Sequence, residues 1–235
     1  IGGFTVLVPR SVEARLGAMV ADVAAPAERR VTGTEADRAR GALERRLFAY
    51  ADPDWQYRLE WVRSEQVNAL AAPGGHMVAY CGLVQQMETA DELSAVLAHE
   101  AAHVMHRHGM RNLIRTAGVR LLLSAMGADI LVDSAAMLGA LHYMRSDEEA
   151  AYKSGLQLLV KAGIDPAAMA SAFGRLRAGA PDVPKELSYI STHPALEERR
   201  RAAAEFAKEV GQGGFWRPVM SRSEWMGLRN ACSVP

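Results

Sequence analysis

Residues 91–109, DELSAVLAHEAAHVMHRHG, contain the five-residue motif His-Glu-Ala-Ala-His on a stretch whose apolar pattern predicts a helix. The apolar positions recur at helical spacing, at Leu93, Val96, Leu97 and Val104. Gly109 is a typical helix stop, so we predict a helix over residues 90–109. Residues four apart share one face of a helix, and His99 and His103 can therefore direct their imidazoles at one point.

Two histidines at this spacing, with a glutamate directly after the first, are typical of a catalytic zinc site. Glu100 is turned about 100° from His99 on the helix, so its carboxylate does not compete for the same coordination position. It is placed instead to take a proton from a water molecule at the metal. We therefore predict that His99 and His103 bind zinc and that Glu100 is a general base; the alternative is a chance match on an ordinary amphipathic helix.

The composition is that of a globular protein and argues against nucleic-acid binding. The chain has 235 residues, of which 49% are hydrophobic and 23% charged, enough for a domain with a substantial core. Lys and Arg total 27, as do Asp and Glu, and no long basic run occurs, so we expect no nucleic-acid partner. Cys81 and Cys232 allow at most one intramolecular disulfide and leave the redox compartment undecided.

Two segments bear on membrane association. The sequence has no run of about 20 apolar residues, and it begins at Ile1 without a methionine. From this start we expect a soluble fragment whose natural N-terminus carries an export signal or a membrane anchor. Residues 113–141 are rich in Leu, Met and Ala, but their charges argue against a spanning helix. They indicate either a buried helical pair, which we favour, or an amphipathic surface on a membrane or an adaptor.

The remaining patterns predict a mainly helical α+β domain with a small sheet beside the metal-binding helix. Strands are predicted over residues 4–8, 57–63, 67–71 and 76–80. Further helices are predicted over residues 11–22, 34–50, 111–126, 131–144, 145–162, 166–178 and 194–209, with Ser11 and Thr34 as N-caps. We assign residues 1–210 to one domain and residues 211–235, which begin with glycines, to an arm that packs back on it.

A catalytic zinc site needs a third protein ligand and an open position. Asp147, Glu148 and Glu149 lie on the helix predicted over residues 145–162, and a helix that packs against the first can bring one carboxylate to the metal. Periodicity alone does not choose among the three.

Four segments together resemble a known family. They are NALAAPGGHMVAYCGL at residues 68–83, the motif helix extended by His108-Gly109, residues 145–166 with Gly155 and AGIDP, and Ser191-Thr192-His193-Pro194 followed by Arg199. In this order they resemble the membrane-associated zinc metalloendopeptidases of the CAAX-prenyl-protease, HtpX and Oma type, which are gluzincins with a zincin-like fold. The resemblance covers most of residues 67–200.

The resemblance implies one zinc ion per chain and places the third ligand on Glu148. Two residues of this chain depart from the family pattern. The family has an aspartate four residues after the ligand glutamate, where this chain has Tyr152, and it has a glutamate where this chain has Ala150. The missing carboxylate would orient a zinc-bound histidine, for which the Tyr152 hydroxyl is a weaker substitute. Asp147 and Glu149 are then expected to be solvated or in ion pairs.

The resemblance also places His193 near the active-site cleft. Its imidazole can stabilise the oxyanion of the reaction intermediate, occupy the open metal position, or merely pack against the next helix, and Tyr189 is a second candidate for oxyanion support. His106 is expected at most at the edge of the site, and His108 is expected to be structural. The strand at Asn68, Ala69 and Leu70 is the expected edge along which an extended substrate adds by main-chain hydrogen bonds.

These expectations amount to a zinc-dependent endopeptidase that cleaves polypeptides through a water activated at the metal. The resemblance implies a role in membrane or envelope protein quality control and a membrane-associated or periplasmic location. The alternative is a degenerate, non-catalytic zinc-binding chaperone or adaptor of the same fold, suggested by Tyr152 and Ala150. A purely structural zinc site fits poorly, because neither cysteine is near the motif.

Overall fold

The computed structural model describes residues 8–125, 143–179, 189, 193, 196–211 and 214–233. The helices are α1 (Arg10–Ala24), α2 (Thr34–Arg46), α3 (Cys81–Gln86), α4 (Ala90–Met105), α5 (His108–Ala125), α6 (Arg145–Lys161), α7 (Ala167–Ala178), α8 (Leu196–Gly211) and α9 (Arg222–Ala231). The strands are β1 (Arg58–Val62), β2 (Ala69–Ala71) and β3 (His76–Tyr80), and short 3₁₀ turns cover Ala27–Arg29, Phe48–Tyr50 and Pro73–Gly75. The predicted α+β fold, mainly helical with a small sheet, is confirmed.

The three strands form one sheet in the order β1-β3-β2. β1 runs parallel to β3, and β2 runs antiparallel to it, so β2 is an edge strand beside α4. The tight turn between β2 and β3 depends on Gly74, which has a φ of 72°. A Cβ there would lie 2.4 Å from the Cα of Ala14 on α1, so only glycine allows this turn to pack on that helix.

The helix that carries the HExxH motif, α4, forms the centre of the core. Its residues from Ala90 to Val104 are nearly all buried, and α6, α7 and β2 pack around it. The N-terminus is stabilised by a capping box in which Thr89 and Glu92 exchange hydrogen bonds with each other's backbone. α6 packs closely on α4 at Gly155, where an added Cβ would lie 3.2 Å from the backbone N and Cα of His99. This contact brings the first turn of α6 to the motif.

The predicted helix over residues 90–109 is wrong at its C-terminal end. α4 ends at Met105, and Arg107 adopts a left-handed conformation with a φ of 55° before α5 begins at His108. The break is held by the side chain of Arg107, which forms an ion pair with buried Glu13 and donates a hydrogen bond to the carbonyl of Val8. Contacts with a distant helix thus override the local helical pattern.

Other boundaries differ by a few residues. Pro9 and Gly33 occupy the N-cap positions expected for Ser11 and Thr34, and the second helix ends at Arg46, before a 3₁₀ turn. Gly33 has a φ of 110°, which leaves Thr34 as the first helical residue. The strand predicted over residues 4–8 and the helix predicted over residues 131–144 lie outside the described residues except at their ends, where Val8, Tyr143 and Met144 are in neither a strand nor a helix.

A short C-terminal helix, α9, was not predicted. Its capping box pairs Ser221 with Glu224, and its end is joined to the start of α3 by a disulfide between Cys81 and Cys232. The indole nitrogen of Trp225 donates a hydrogen bond to the carbonyl of Glu88, which adds a second attachment to the core. Among the helices of the described residues, none combines the length and apolarity needed to cross a bilayer.

Candidate metal centre

The two motif histidines face each other one turn apart on α4. Both side chains are completely buried, and their Nε2 atoms are 3.0 Å apart. Two imidazole nitrogens in a dry interior either share one proton or direct their lone pairs at a common cation. The helical spacing of His99 and His103 therefore gives the juxtaposition that the sequence predicted.

Of the three candidate carboxylates, Glu148 is the one at the histidines. Its Oε1 lies 3.2 Å from Nε2 of His103, and its Oε2 lies 3.5 Å from Nε2 of His99. Asp147 instead accepts a hydrogen bond from Arg111, and Glu149 forms an exposed ion pair with Lys153. This separation arises because successive residues on α6 point about 100° apart.

His193 is the fourth side chain of the cluster. Its Nε2 is 3.4 Å from Oε1 of Glu100 and 3.7 Å from Oε1 of Glu148. The potential ligand atoms of His99, His103, Glu148 and His193 all lie within 4.8 Å of one another, and all four residues are buried.

The donor set fits a zinc ion. Two imidazole nitrogens and a carboxylate oxygen are the ligands of a catalytic zinc site with an open position. Within the described part of the chain, buried Glu100 Oε2 has no side-chain hydrogen-bond partner, and buried Glu148 Oε1 has none beyond its approach to Nε2 of His103. Buried polar atoms in proteins are nearly always paired, so such unsatisfied oxygens indicate a missing cation or water rather than a purely structural cluster.

The protonation preferences agree with this donor set. Burial lowers the pKa of His103 well below its usual range, and burial lowers the pKa of His193 to about 3, so both rings are neutral near pH 7 and can bind metal. Burial opposes ionisation of Glu148, but contacts with His193, His103 and His99 outweigh it and hold the pKa of Glu148 below its usual range. Arg199 of α8 also donates a hydrogen bond of 2.7 Å to Oε2 of Glu148.

Glu100 lies beside the cluster without joining it. Its Oε1 accepts a hydrogen bond of 2.8 Å from the hydroxyl of Tyr189. Complete burial raises the pKa of Glu100 well above its usual range, and the bond from Tyr189 opposes that rise. A carboxyl group with a raised pKa is suited to accept and return a proton near neutral pH.

Sequence reasoning did not identify three other residues at the centre. Tyr143 stacks on the ring of His103, with centroids 3.8 Å apart, and Arg199 contacts Glu148. His108 was expected to be structural only, yet its Nδ1 is 2.8 Å from Nδ1 of His103. The unexpected break at Arg107 explains this contact, because His108 would point elsewhere on a continuous helix.

The position of Tyr152 bears on the departure from the family pattern. Tyr152 is buried, but within the described residues no hydrogen bond links its hydroxyl to a histidine of the cluster, and Nδ1 of His99 has no partner. The hydroxyl therefore does not replace the missing carboxylate in this conformation. His106, expected at the edge of the site, instead pairs with Ser154 at 2.7 Å.

The expected substrate-binding strand is the sheet edge nearest the centre. Asn68 and Leu70 are half-buried and Ala69 is buried. Two carbonyls along this edge already accept hydrogen bonds: that of Val67 from the backbone N–H of Tyr189, and that of Ala71 from the hydroxyl of Tyr143. The edge is thus adjacent to the cluster, and its role in substrate binding remains a prediction.

Comparisons with known proteins agree with this arrangement. The sequence profile of peptidase family M48 matches residues 42–207. The chain is 32% identical over 184 residues to a putative beta-barrel assembly-enhancing protease of Vibrio cholerae, an alignment that covers 71% of this chain and 38% of that protein. It is 29% identical over 176 residues to the mitochondrial metalloendopeptidase OMA1 of Schizosaccharomyces pombe, covering 72% of this chain and 52% of that protein.

A third relative is the metalloprotease LoiP of Escherichia coli, which is 31% identical over 146 residues, covering 58% of this chain and 57% of that protein. The chain thus spans between about a third and somewhat more than half of the length of these relatives. The family resemblance drawn from the four sequence segments is confirmed.

Proposed function

The chain belongs to peptidase family M48, and we propose that it is a zinc-dependent endopeptidase whose ion is held by His99, His103 and Glu148. The observation that carries the proposal is the buried cluster of four potential ligands, formed by His99, His103, Glu148 and His193, with the carboxyl group of Glu100 beside it. Bound zinc supplies Lewis acidity toward the scissile carbonyl and lowers the pKa of a water molecule toward about 7.

Glu100 is proposed to move the protons of the reaction. Its carboxylate accepts a proton from the attacking water and returns it to the nitrogen of the leaving amine, so the peptide bond is hydrolysed with no net change at the residue. Burial favours the protonated form and the Tyr189 hydroxyl favours the ionised form. The balance keeps the group able to pass between the two.

His193 and Tyr189, which both approach the carboxyl group of Glu100, are proposed to stabilise the charge that develops on the reacting carbonyl. Their rings stack with centroids 4.0 Å apart, which fixes both side chains over the cluster. A neutral imidazole there can donate a hydrogen bond to the developing oxyanion, and the Tyr189 hydroxyl can do so only by giving up its bond to Glu100. The same geometry supports the alternative in which Nε2 of His193 fills the open metal position and holds the enzyme inactive.

The substrate is proposed to be an extended polypeptide that adds to the edge of β2 along Asn68, Ala69 and Leu70. Main-chain recognition of this kind gives modest side-chain specificity. Because the Val67 and Ala71 carbonyls are engaged by Tyr189 and Tyr143, a substrate strand has to replace those two donors. Binding is therefore expected to displace the Tyr143 hydroxyl from the strand.

The proposed setting is the cell envelope, with membrane proteins or their assembly intermediates as substrates. The names of relatives support this: one is a beta-barrel assembly-enhancing protease and another is a mitochondrial metalloendopeptidase. The Cys81–Cys232 disulfide also supports an oxidising compartment such as a periplasm. We therefore propose a periplasmic or membrane-associated location.

A second candidate is a zinc-binding module without catalysis. It is favoured by Tyr152, which leaves Nδ1 of His99 unpaired among the described residues. The presence of Glu100 favours the enzyme, because this buried carboxyl group with an unsatisfied oxygen is not one of the proposed zinc ligands and its burial costs stability.

The experiment that separates the two is hydrolysis of an unfolded protein such as casein by the zinc-loaded chain. We expect cleavage that is lost with a chelator, restored by zinc, and lost in Glu100→Gln although that variant keeps its zinc. Hydrolysis at the wild-type rate in Glu100→Gln would show that the catalytic assignment is wrong. Zinc binding without hydrolysis in the wild type would favour the non-catalytic module.

A further inference from the structure

We propose that His108 is a positioning residue for the metal centre: its imidazole accepts a hydrogen bond from Nδ1 of His103 and fixes that ring to bind metal through Nε2. The proposal rests on the proposed zinc site and adds a residue that lies outside the HExxH motif. The two Nδ1 atoms are 2.8 Å apart, and both side chains are buried.

The backbone conformation at Arg107 makes this contact possible. On a continuous helix, residues five apart point about 140° away from each other, so His108 would not reach His103. The left-handed conformation of Arg107 turns the chain back, and Glu13 and the carbonyl of Val8 hold the Arg107 side chain in place. A non-glycine residue with positive φ is uncommon, and such a conformation persists only where surrounding contacts fix it.

The proton arrangement follows from the geometry. Two ring nitrogens at 2.8 Å share one proton, so one donates and the other accepts. If His103 binds metal through Nε2, its Nδ1 carries the proton, and Nδ1 of His108 must be the acceptor. The proton of His108 is then on Nε2, which faces Oδ1 of Asp147 at 3.7 Å. Arg111 holds that carboxylate through a hydrogen bond of 2.8 Å.

The arrangement extends a common pattern of metal sites. A metal-bound histidine usually donates its second N–H to a carboxylate or carbonyl, which sets the tautomer and orientation of its ring. Here an imidazole stands between the ligand and the carboxylate, in the order His103, His108, Asp147. Nδ1 of His99 has no hydrogen-bond partner among the described residues, so of the two motif histidines only His103 is held there by a hydrogen bond of this kind.

The test compares zinc affinity in His108→Ala, His108→Asn and a matched control, His106→Ala, measured by competition with a chromophoric chelator. His106 pairs with Ser154 and only stacks on the ring of His108, with centroids 5.2 Å apart, so His106→Ala removes a packing contact but keeps the hydrogen bond to His103 and should leave the affinity nearly unchanged. Loss of an orienting partner weakens metal affinity by roughly 10–100-fold, which we expect for His108→Ala. An asparagine oxygen can take the place of Nδ1, so His108→Asn should recover most of that loss.

Two results of the affinity measurement would overturn the proposal. One is wild-type zinc affinity in His108→Ala. The other is an equal loss of affinity in the Ala and Asn variants, which would indicate packing rather than hydrogen bonding.

A readout that does not depend on the folding of any variant is the ¹⁵N spectrum of the imidazoles in the zinc-loaded wild type. We expect His108 to carry its proton on Nε2; a proton on Nδ1 would overturn the proposal. If the wild type binds no zinc, the proposed metal site fails, which is distinct from failure at His108 alone.

Discussion

The helix α4 carries two buried glutamates, Glu92 and Glu100, in very different surroundings. Both oxygens of Glu92 are satisfied: one accepts from the backbone N–H groups of Glu88 and Thr89, and the other from Ser171 and Arg175. Glu100 is more deeply buried, yet no arginine or lysine pairs with it among the described residues, where its Oε1 accepts from the Tyr189 hydroxyl and its Oε2 has no side-chain partner.

The difference separates a structural carboxylate from a functional one. A buried charge costs several kcal/mol unless it is paired and hydrogen-bonded, and Glu92 meets both conditions. Glu100 meets neither fully, so its burial costs stability, which is typical of a group at a functional site. Substitutions of these two buried glutamates on the same helix can therefore be compared directly.

The largest effect expected from this comparison is a loss of hydrolytic activity in Glu100→Gln. We expect kcat to fall by about 10²–10⁴-fold, because general acid–base catalysis is lost. The free energy of unfolding of the metal-free protein should stay within about 1 kcal/mol of the wild type, because the variant removes a poorly satisfied carboxylate. Denaturant unfolding and peptide hydrolysis measure the two quantities; a large loss of stability would place Glu100 in the same class as Glu92.

The opposite pattern is expected for Glu92→Gln. This change weakens charge-assisted hydrogen bonds to Arg175 and to the capping box, and we expect the protein to lose about 1.5–3 kcal/mol of stability. The zinc content and kcat of the folded protein should remain near those of the wild type, as checked below the temperature at which the variant unfolds. A fall in kcat without a loss of stability would contradict a purely structural role.

A smaller effect is expected from Tyr189→Phe, which removes the hydrogen bond that stabilises the ionised form of Glu100. Loss of that bond raises the pKa of Glu100 further. Because the carboxylate must be ionised to accept a proton, activity declines as pH falls through this pKa, and the acid limb of the kcat/KM profile should move to higher pH. An acid limb that stays in place or moves to lower pH would show that Tyr189 does not act on Glu100.

Local periodicity was sufficient for the part of the site that lies on one helix. His99, Glu100 and His103 follow from the 3.6-residue repeat, and their geometry has the expected form because α4 is regular through that turn. Glu148 required the family resemblance, because three adjacent acidic residues cannot be distinguished by spacing. Its position depends on how α6 crosses α4 at Gly155, which is a tertiary property.

The residues that were missed depend on contacts between distant parts of the chain. His108 reaches His103 only because Glu13, 94 residues earlier, holds Arg107 in a left-handed conformation. The C-terminal helix had a local signal, the Ser-x-x-Glu capping box at Ser221, which was overlooked in a short glycine-flanked tail. The assignment of residues 1–210 and 211–235 to a domain and an arm remains a prediction.

The zinc content of the purified chain is the most direct test of the proposed metal centre. Elemental analysis of the wild type, Glu148→Ala and Glu149→Ala, all purified without chelators, compares adjacent glutamates of which only the first faces the histidines. We predict about one zinc per chain in the wild type and in Glu149→Ala, and a sharp fall in Glu148→Ala. Absence of zinc from the wild type, or full zinc content in Glu148→Ala, would contradict the proposed site.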